Sequence, residues 1–231
     1  MFNVDKQLNY GRSIIEMYAK QKIYKSVLDL GAGQGIDLDI FKKAQPSIKT
    51  FAVENWTSNQ DILKSKGHSL CGHDIEKDVL PFDDCSIDCI IMNQILEHTK
   101  DIFWILHECT RVLSNKGSLI IGVPNLAALH NRLILLCGLQ PYCIKTNSAH
   151  VRGYTKNGIV DFLKIFPNYS LDNFNGSNFY PFSPFIATPL SKIFPSLSVC
   201  IFLRFSKHAD YKNEFIRYPL EKKLATNFFI G

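Results

Sequence analysis

Short apolar runs and amphipathic stretches alternate through the first two-thirds of the chain. The runs at 26–30 (SVLDL), 50–54 (TFAVE), 69–72 (SLCG), 87–92 (IDCIIM) and 118–123 (SLIIGV) are bounded by charges or turn formers, which predicts five strands. Between them, apolar residues recur at helical spacing over 36–43, 57–64 and 101–113; in the last, Ile102, Ile105, Leu106, Cys109 and Val112 share one face. Strands alternating with helices are the signature of repeated βαβ units. The expected fold class is therefore α/β, a Rossmann-like, mostly parallel twisted sheet with helices on both faces.

The rhythm changes after Val123. LAALHNRLILLCGL (126–139) predicts an apolar helix, QPYCIKTNSAHVRGY (140–154) a turn-rich segment, and 156–166 a second helix. This pattern is expected to be a helical insertion after the fifth strand, capping the sheet. Strands at 169–174 and 197–205 follow, then a polar tail. Between these strands NFYPFSPFIATPLSKIFPSL (178–197) reads as an apolar loop packed on the core, a wall of a binding site, or a surface that touches lipid. The expected organisation is one domain over 1–231, with a ligand-binding core at 25–125 and an insertion on the acceptor side at 125–195.

Composition adds exclusions. With 46% apolar and 20% charged residues among 231, the chain can bury a sizeable core, and disorder is not expected. No apolar run reaches the roughly 18 residues of a membrane span, and MFNVDKQLNYGR lacks an apolar signal core, so a cytoplasmic protein is expected. The seven cysteines are odd in number and form no CxxC, which argues against a disulfide framework or a zinc ribbon and for most of them being small, reduced core residues. A net charge of +5 is scattered, with one short cluster at Arg217, Lys222 and Lys223, so no nucleic-acid partner is expected.

Candidate chemistry concentrates in VLDLGAGQG (27–35). Gly31, Gly33 and Gly35 at a strand-to-helix junction permit a tight turn and close ligand approach. Nineteen residues past Gly35, Glu54 ends the second predicted strand, where a carboxylate would bind the two hydroxyls of a ribose. The spacing is GxGxG rather than the GxGxxG of pyrophosphate loops, and Asp29 stands two residues ahead of the first glycine. An acid there repels pyrophosphate and suits a cationic ligand.

These residues resemble the class I S-adenosylmethionine-dependent methyltransferases, whose first motif reads (V/I)LDxGxGxG. The resemblance runs over 25–125: PFDDCSID (81–88) is similar to the family's loop into strand four, and NQILEHTKD (93–101) to its LEHxxD stretch. RVLSNKGSLIIGVPN (111–125) resembles RxLxPGGxLxxxxPN, with Asn115 and Lys116 in place of Pro-Gly. The resemblance implies S-adenosylmethionine as cofactor and S-adenosylhomocysteine as product. It assigns Asp29, Gly31, Ala32 and Gly33 to the methionine end, Glu54 to the ribose, Asp74 with Ile75 to the adenine, and Asn93 with Gln94 to the methyl group.

For the acceptor, the resemblance makes His98 the first candidate base and His150 the second, an alcohol benefiting from a base where a neutral amine attacks directly. The quinone-pathway O-methyltransferases of this superfamily carry ExxEH here; Gln94 turns it into QxxEH and removes an anionic ligand, so no metal is expected. Neither the (N/D)PP(Y/F) motif nor a Pro-Cys nucleophile stands at the end of strand four. The insertion is similar to bacterial methyltransferases of cell-surface glycans and related small molecules, which would place Arg152 and Tyr154 in an acceptor pocket. The expected function is O-methylation of a sugar-containing or other small-molecule acceptor, glycan- or lipid-linked acceptors included, with at most peripheral membrane contact. Two alternatives stay open: a catalytically silent S-adenosylmethionine-binding partner protein, and a nicotinamide enzyme on a similar fold, which the GxGxG spacing and Asp29 oppose.

Overall fold

The structure, a computed structural model, describes residues 5–224. Its centre is β1 (Ser26–Leu30), whose five side chains are all buried, as in a parallel strand covered on both faces. Alternate residues point to opposite sides. Leu28 and Leu30 enter a core shared with α4 (Ile102–Val112) and α6 (Lys156–Leu163), whereas Val27 enters a second core with α1 (Arg12–Gln21), α2 (Ile36–Ala44) and α3 (Thr57–Ser65).

Seven strands form one sheet in the order β3-β2-β1-β4-β5-β7-β6, where β2 is Lys49–Val53, β3 Ser69–Cys71, β4 Ile87–Asn93, β5 Leu113–Pro124, β6 Tyr169–Ser177 and β7 Cys200–Lys207. The first five strands run parallel, while β7 is antiparallel to both β5 and β6. Asp29 pairs in register with Ala52 and Ile91, so the carboxyl ends of β1, β2 and β4 finish at one edge. Strand order reverses beside β1, with β2 to one side and β4 to the other, and ligands of open α/β sheets bind in the crevice at such a switch point.

All seven predicted strands are present, β1 with the expected ends and the other six with shifted ends. β5 begins at Leu113, five residues early, and β7 begins at Cys200 because a 3-10 turn, Pro195–Leu197, occupies the start of the expected strand. Three helices correct the sequence reading. α1 precedes the first predicted element; its buried face is only Ile15, Tyr18 and Ala19 among polar neighbours. α7 (Pro184–Ile193) lies in the stretch read as a loop: Pro184 stands in the first turn, where a missing N–H costs nothing, and Pro189 sits inside at the cost of one helical hydrogen bond. α8 (Glu214–Glu221) forms in the tail read as polar and inserts Phe215, fully buried, against the core.

The cysteine reading also needs correction. Cys89, Cys109 and Cys200 are buried, but Cys85 and Cys137 are exposed, and all seven thiols are free. Lys207 is fully buried; its ammonium donates to the carbonyls of Thr110 and Leu113 at 2.8 and 2.7 Å, which caps the negative end of α4. In the same helix Glu108 and Arg111 fasten the loop into β4. Leu80 N–H donates to Glu108 at 2.7 Å, and Arg111 donates to the carbonyls of Leu80 and Phe82. No helix among the described residues is long and apolar enough to cross a membrane.

Candidate functional site

The loop leaving β1 is built by backbone geometry. Gly31 and Ala32 donate to the Val53 carbonyl at 2.9 and 3.1 Å, which ties the loop to the end of β2. Gly31, Gly33 and Gly35 all have left-handed φ, 73°, 53° and 76°, where a Cβ is strained. A Cβ on Gly31 would meet Ile95 at 2.7 Å and one on Gly35 would meet Leu63 at 2.7 Å, but one on Gly33 would meet nothing within 4 Å. Packing therefore accounts for two of the glycines. The expectation that ligand approach explains all three is not needed for Gly31 and Gly35; Gly33 alone faces open space.

Glu54 stands opposite this loop. Its carboxylate accepts from Gly33 N–H at 2.7 Å and from Trp56 N–H at 2.8 Å, so the side chain is fixed before any ligand arrives. Behind it lies buried Asp29, whose carboxyl is held well above the usual carboxylate range by burial first and by Asp37 next; Arg12 opposes this and Glu54 adds to it. Asp37 pairs with Arg12 and accepts from Asn93 Nδ2 at 2.8 Å. Asn93 also donates to the Tyr10 carbonyl at 3.0 Å, and its Oδ1 is buried without a hydrogen-bond partner among the described residues. A cavity of about 430 Å³ opens here, lined by Tyr10, Arg12, Asp29, Gly33, Asp37 and Gln94 among others. Gln94 is a non-glycine residue at φ 58°, a conformation that the fold must impose.

A second cavity of about 520 Å³ shares Gly31 and continues past Glu54 to Trp56, His73, Ile75 and His98. The two cavities flank the glycine loop. Of the expected pair Asp74 and Ile75, only Ile75 reaches the wall. The Asp74 carboxylate turns to Glu76 N–H and the Lys77 ammonium, both at 3.0 Å, which hold it below its usual range. Its neighbour His73 lines the cavity with Nδ1 buried and unpartnered among the described residues, a position that no local motif marks.

The third group forms at the rim. A 3-10 turn, Leu96–His98, follows β4, and the insertion returns to it: Val151 N–H donates to the Glu97 carbonyl at 2.8 Å and Tyr154 OH to the Leu96 carbonyl at 3.1 Å. These bonds bring His150 beside His98, with ring centroids 4.7 Å apart at 81°. His150 Nδ1 lies 2.8 Å from the Cys143 carbonyl, which assigns its proton to that nitrogen and leaves Nε2 to accept. Glu97 is buried with Oε2 unpartnered among the described residues, and burial pushes its carboxyl up to about 7. Burial and the neighbouring His150 push His98 down. One ligating atom from each of Glu97, His98 and His150 lies within 4.8 Å of the others, close enough to hold a cation. Reading QxxEH by itself left out His150 and so could not weigh this cluster. Arg152 donates to the Lys100 carbonyl at 2.6 Å and stands exposed outside the cavity, while Tyr154 props the turn.

Residues 28–121 match a family model described as a methyltransferase domain. A probable S-adenosylmethionine-dependent methyltransferase of Mycobacterium tuberculosis is 28% identical over 101 residues, 44% of this chain and 36% of that protein. An uncharacterized 37.1 kDa protein in a transposon of Streptomyces fradiae is 32% identical over 105 residues, 44% of this chain and 30% of that protein. The chain thus matches only about a third of the length of these curated relatives. Among solved structures, a SAM-dependent methyltransferase from Archaeoglobus fulgidus superposes with a TM-score of 0.58 at 14% identity, covering 85% of this chain and 94% of that one. The plantazolicin methyltransferase BpumL, solved with a pentazolic desmethylPZN analog and SAH, gives 0.61 at 15% identity over 89% of this chain and 87% of its own. At these identities the structural likeness is one of fold.

Proposed function

We propose that this chain, which carries a class I S-adenosylmethionine-dependent methyltransferase domain, methylates a hydroxyl of a sugar-containing or other small-molecule acceptor. One observation carries the acceptor chemistry: His98 and His150 meet at the rim of the cavity that holds Glu54 and Ile75. A hydroxyl needs a positioned base, and an imidazole beside the cavity provides one.

The cofactor fits the residues present. S-adenosylmethionine supplies an electrophilic methyl group on a sulfonium, so the protein's task is alignment of an in-line transfer. Asp29 and the Arg12–Asp37 pair line the first cavity, and an ammonium group bound there would favour the ionised form of Asp29 that burial otherwise opposes. Gly31, Ala32 and Gly33 let the ligand lie against backbone. Glu54, with two of its lone pairs engaged, keeps others for the ribose hydroxyls. Ile75 and His73 form the adenine wall in place of the Asp74 side chain. Gln94 and Asn93 border the methyl group.

At the rim His98 receives the acceptor's proton, and His150, oriented by the Cys143 carbonyl, stands next to it. The test is turnover of S-adenosylmethionine carrying a labelled methyl group against a panel of sugars and small alcohols, with His98→Ala and His150→Ala alongside. Label should appear on oxygen, and His98→Ala should lower kcat by on the order of 10² or more while S-adenosylhomocysteine still binds by calorimetry. Turnover that survives chelator treatment supports the base, whereas loss restored by a divalent ion would assign the same three side chains to a cation. Cofactor binding without turnover of any acceptor would make the chain a binding partner instead. Binding of NAD and not of S-adenosylhomocysteine would end the reading.

A further inference from the structure

We propose that α5 (Leu129–Leu136) and α7 together form a surface that docks on an anionic lipid bilayer. α5 is turned inside out. The one buried side chain in it is Asn131, which donates to the Asn125 carbonyl at 2.9 Å, while Leu133, Leu135 and Leu136 face solvent, Leu136 with 83% of its surface exposed. Leu139 and Tyr142 continue the exposed apolar strip past the helix. α7 repeats the arrangement with Phe185, 90% exposed, and with Ile193 and Phe194.

The two helices make one surface. The His130 and Tyr180 rings meet with centroids 5.2 Å apart, and Asn125 Nδ2 donates to the carbonyls of Ser196 and Ser198, both at 2.9 Å, joining the root of α5 to the turn after α7. Contiguous exposed apolar area of this kind marks an interaction site.

Charge selects the occupant. No Asp or Glu occurs between residues 109 and 160 or between 173 and 209, the two stretches that supply this surface. Arg132 and Lys192 stand exposed among the apolar side chains, and the Lys145 ammonium lies 4.0 Å from the Tyr142 ring centroid. A second copy of the chain would set cation against cation with no acid to pair. An anionic bilayer satisfies both components, taking apolar side chains below its headgroups and cations against its phosphates. Eight residues of α5 and ten of α7 are too short to span, so the surface lies in the interface plane. The docking stands apart from the chemistry proposed above. Taken with it, the shared insertion, which also supplies His150, would present the cavity rim to an acceptor held at the membrane.

The test is vesicle flotation of the full chain with phosphatidylcholine alone and with about one-third phosphatidylglycerol, at low and high salt. The chain should float with the anionic vesicles, less so at high salt, and remain soluble with phosphatidylcholine. Arg132→Gln with Lys192→Gln should weaken binding about thirty-fold, and Leu136→Glu with Phe185→Glu should abolish it. Each variant should keep the S-adenosylhomocysteine affinity of the wild type, which certifies its fold and separates failure of docking from failure of the methyltransferase reading. A wild-type chain that stays soluble with both vesicles overturns the proposal. So does binding that the two glutamates leave intact, or a concentration-dependent dimer that they dissolve.

Discussion

α4 and α5 lie either side of β5 and both read as apolar helices, yet they treat their side chains in opposite ways. α4 buries eight of its eleven residues, including Ile105, Leu106 and Cys109 against the sheet, and gives its buried Glu108 partners in Leu80 N–H and Arg111. α5 buries one polar residue and leaves its leucines outside. Apolar content was available to both; a surface to bury it against was available to one. α4 sits between β4, β5 and α8, whereas α5 departs from the sheet after Pro124, fastened through Asn125 and Asn131. What a helix is made of thus says less about its burial than where the preceding strand releases it.

The widest separation between the two helices should appear in stability. Leu106→Ala should cost about 2–5 kcal/mol in urea unfolding and Leu136→Ala less than about 0.5 kcal/mol. A loss above about 1 kcal/mol for Leu136 would mean that α5 is packed after all. Glu97 probes the boundary between the two regions. Its folded pKa lies near 7 against an unfolded value near 4.5, so the neutral form is favoured on folding; that contribution is complete below 4.5 and is lost as pH rises through 7. Glu97→Gln should therefore match wild type near pH 4 and gain on it by up to about 3 kcal/mol at pH 8. Equal pH dependence of the two proteins would refute this.

Smaller effects sharpen the contrast at the root of each insertion helix. Asn131→Ala removes one of the two donors to the Asn125 carbonyl, Ala128 N–H at 3.1 Å being the other, and should cost about 1–1.5 kcal/mol, more than any exposed leucine of the same helix. Thr155→Ala removes the α6 cap, in which Thr155 Oγ accepts from Gly158 N–H at 3.1 Å, and should cost about 1 kcal/mol. α5 has no such cap at Ala128, so an α5 that loses less than α6 on these two changes would break the view that Asn131 anchors it.

Legibility followed sequence distance. Asp29, Gly33 and Glu54 could be read from β1, its loop and the end of β2 because strand period and turn chemistry act within a few residues. Asn93, Gln94 and His98 came from the end of β4 and the stretch that follows it. What could not be read arrives from far along the chain. Arg12 reaches Asp37 from the start of an N-terminal helix whose buried face is too narrow to signal itself, and the Tyr10 carbonyl reaches Asn93 from the 3-10 turn, Lys6–Tyr10, before it. His73 carries no motif, and Glu97 became notable only once Val151 had brought His150 beside it. α7 was hidden by its prolines, which mark a loop in sequence; Pro184 fits the first turn, and Pro189 lies in the interior at the cost of one helical hydrogen bond. The membrane-facing surface is a different case: its residues are visible, but apolar residues alone do not say whether they face in or out.

The position of β7 has a consequence for synthesis. β7 pairs with β5 on one side and β6 on the other, yet follows both in the chain. While the ribosome has not yet released residues 200–207, β5 presents an open edge and β6 has no neighbour to join, although the parallel strands around the glycine loop can already assemble. Among the described strands, the last one made is the one that joins the two parts of the sheet. A stalled nascent chain would carry a formed cofactor half beside two unpaired strand edges, the kind of surface that chaperones hold until translation resumes.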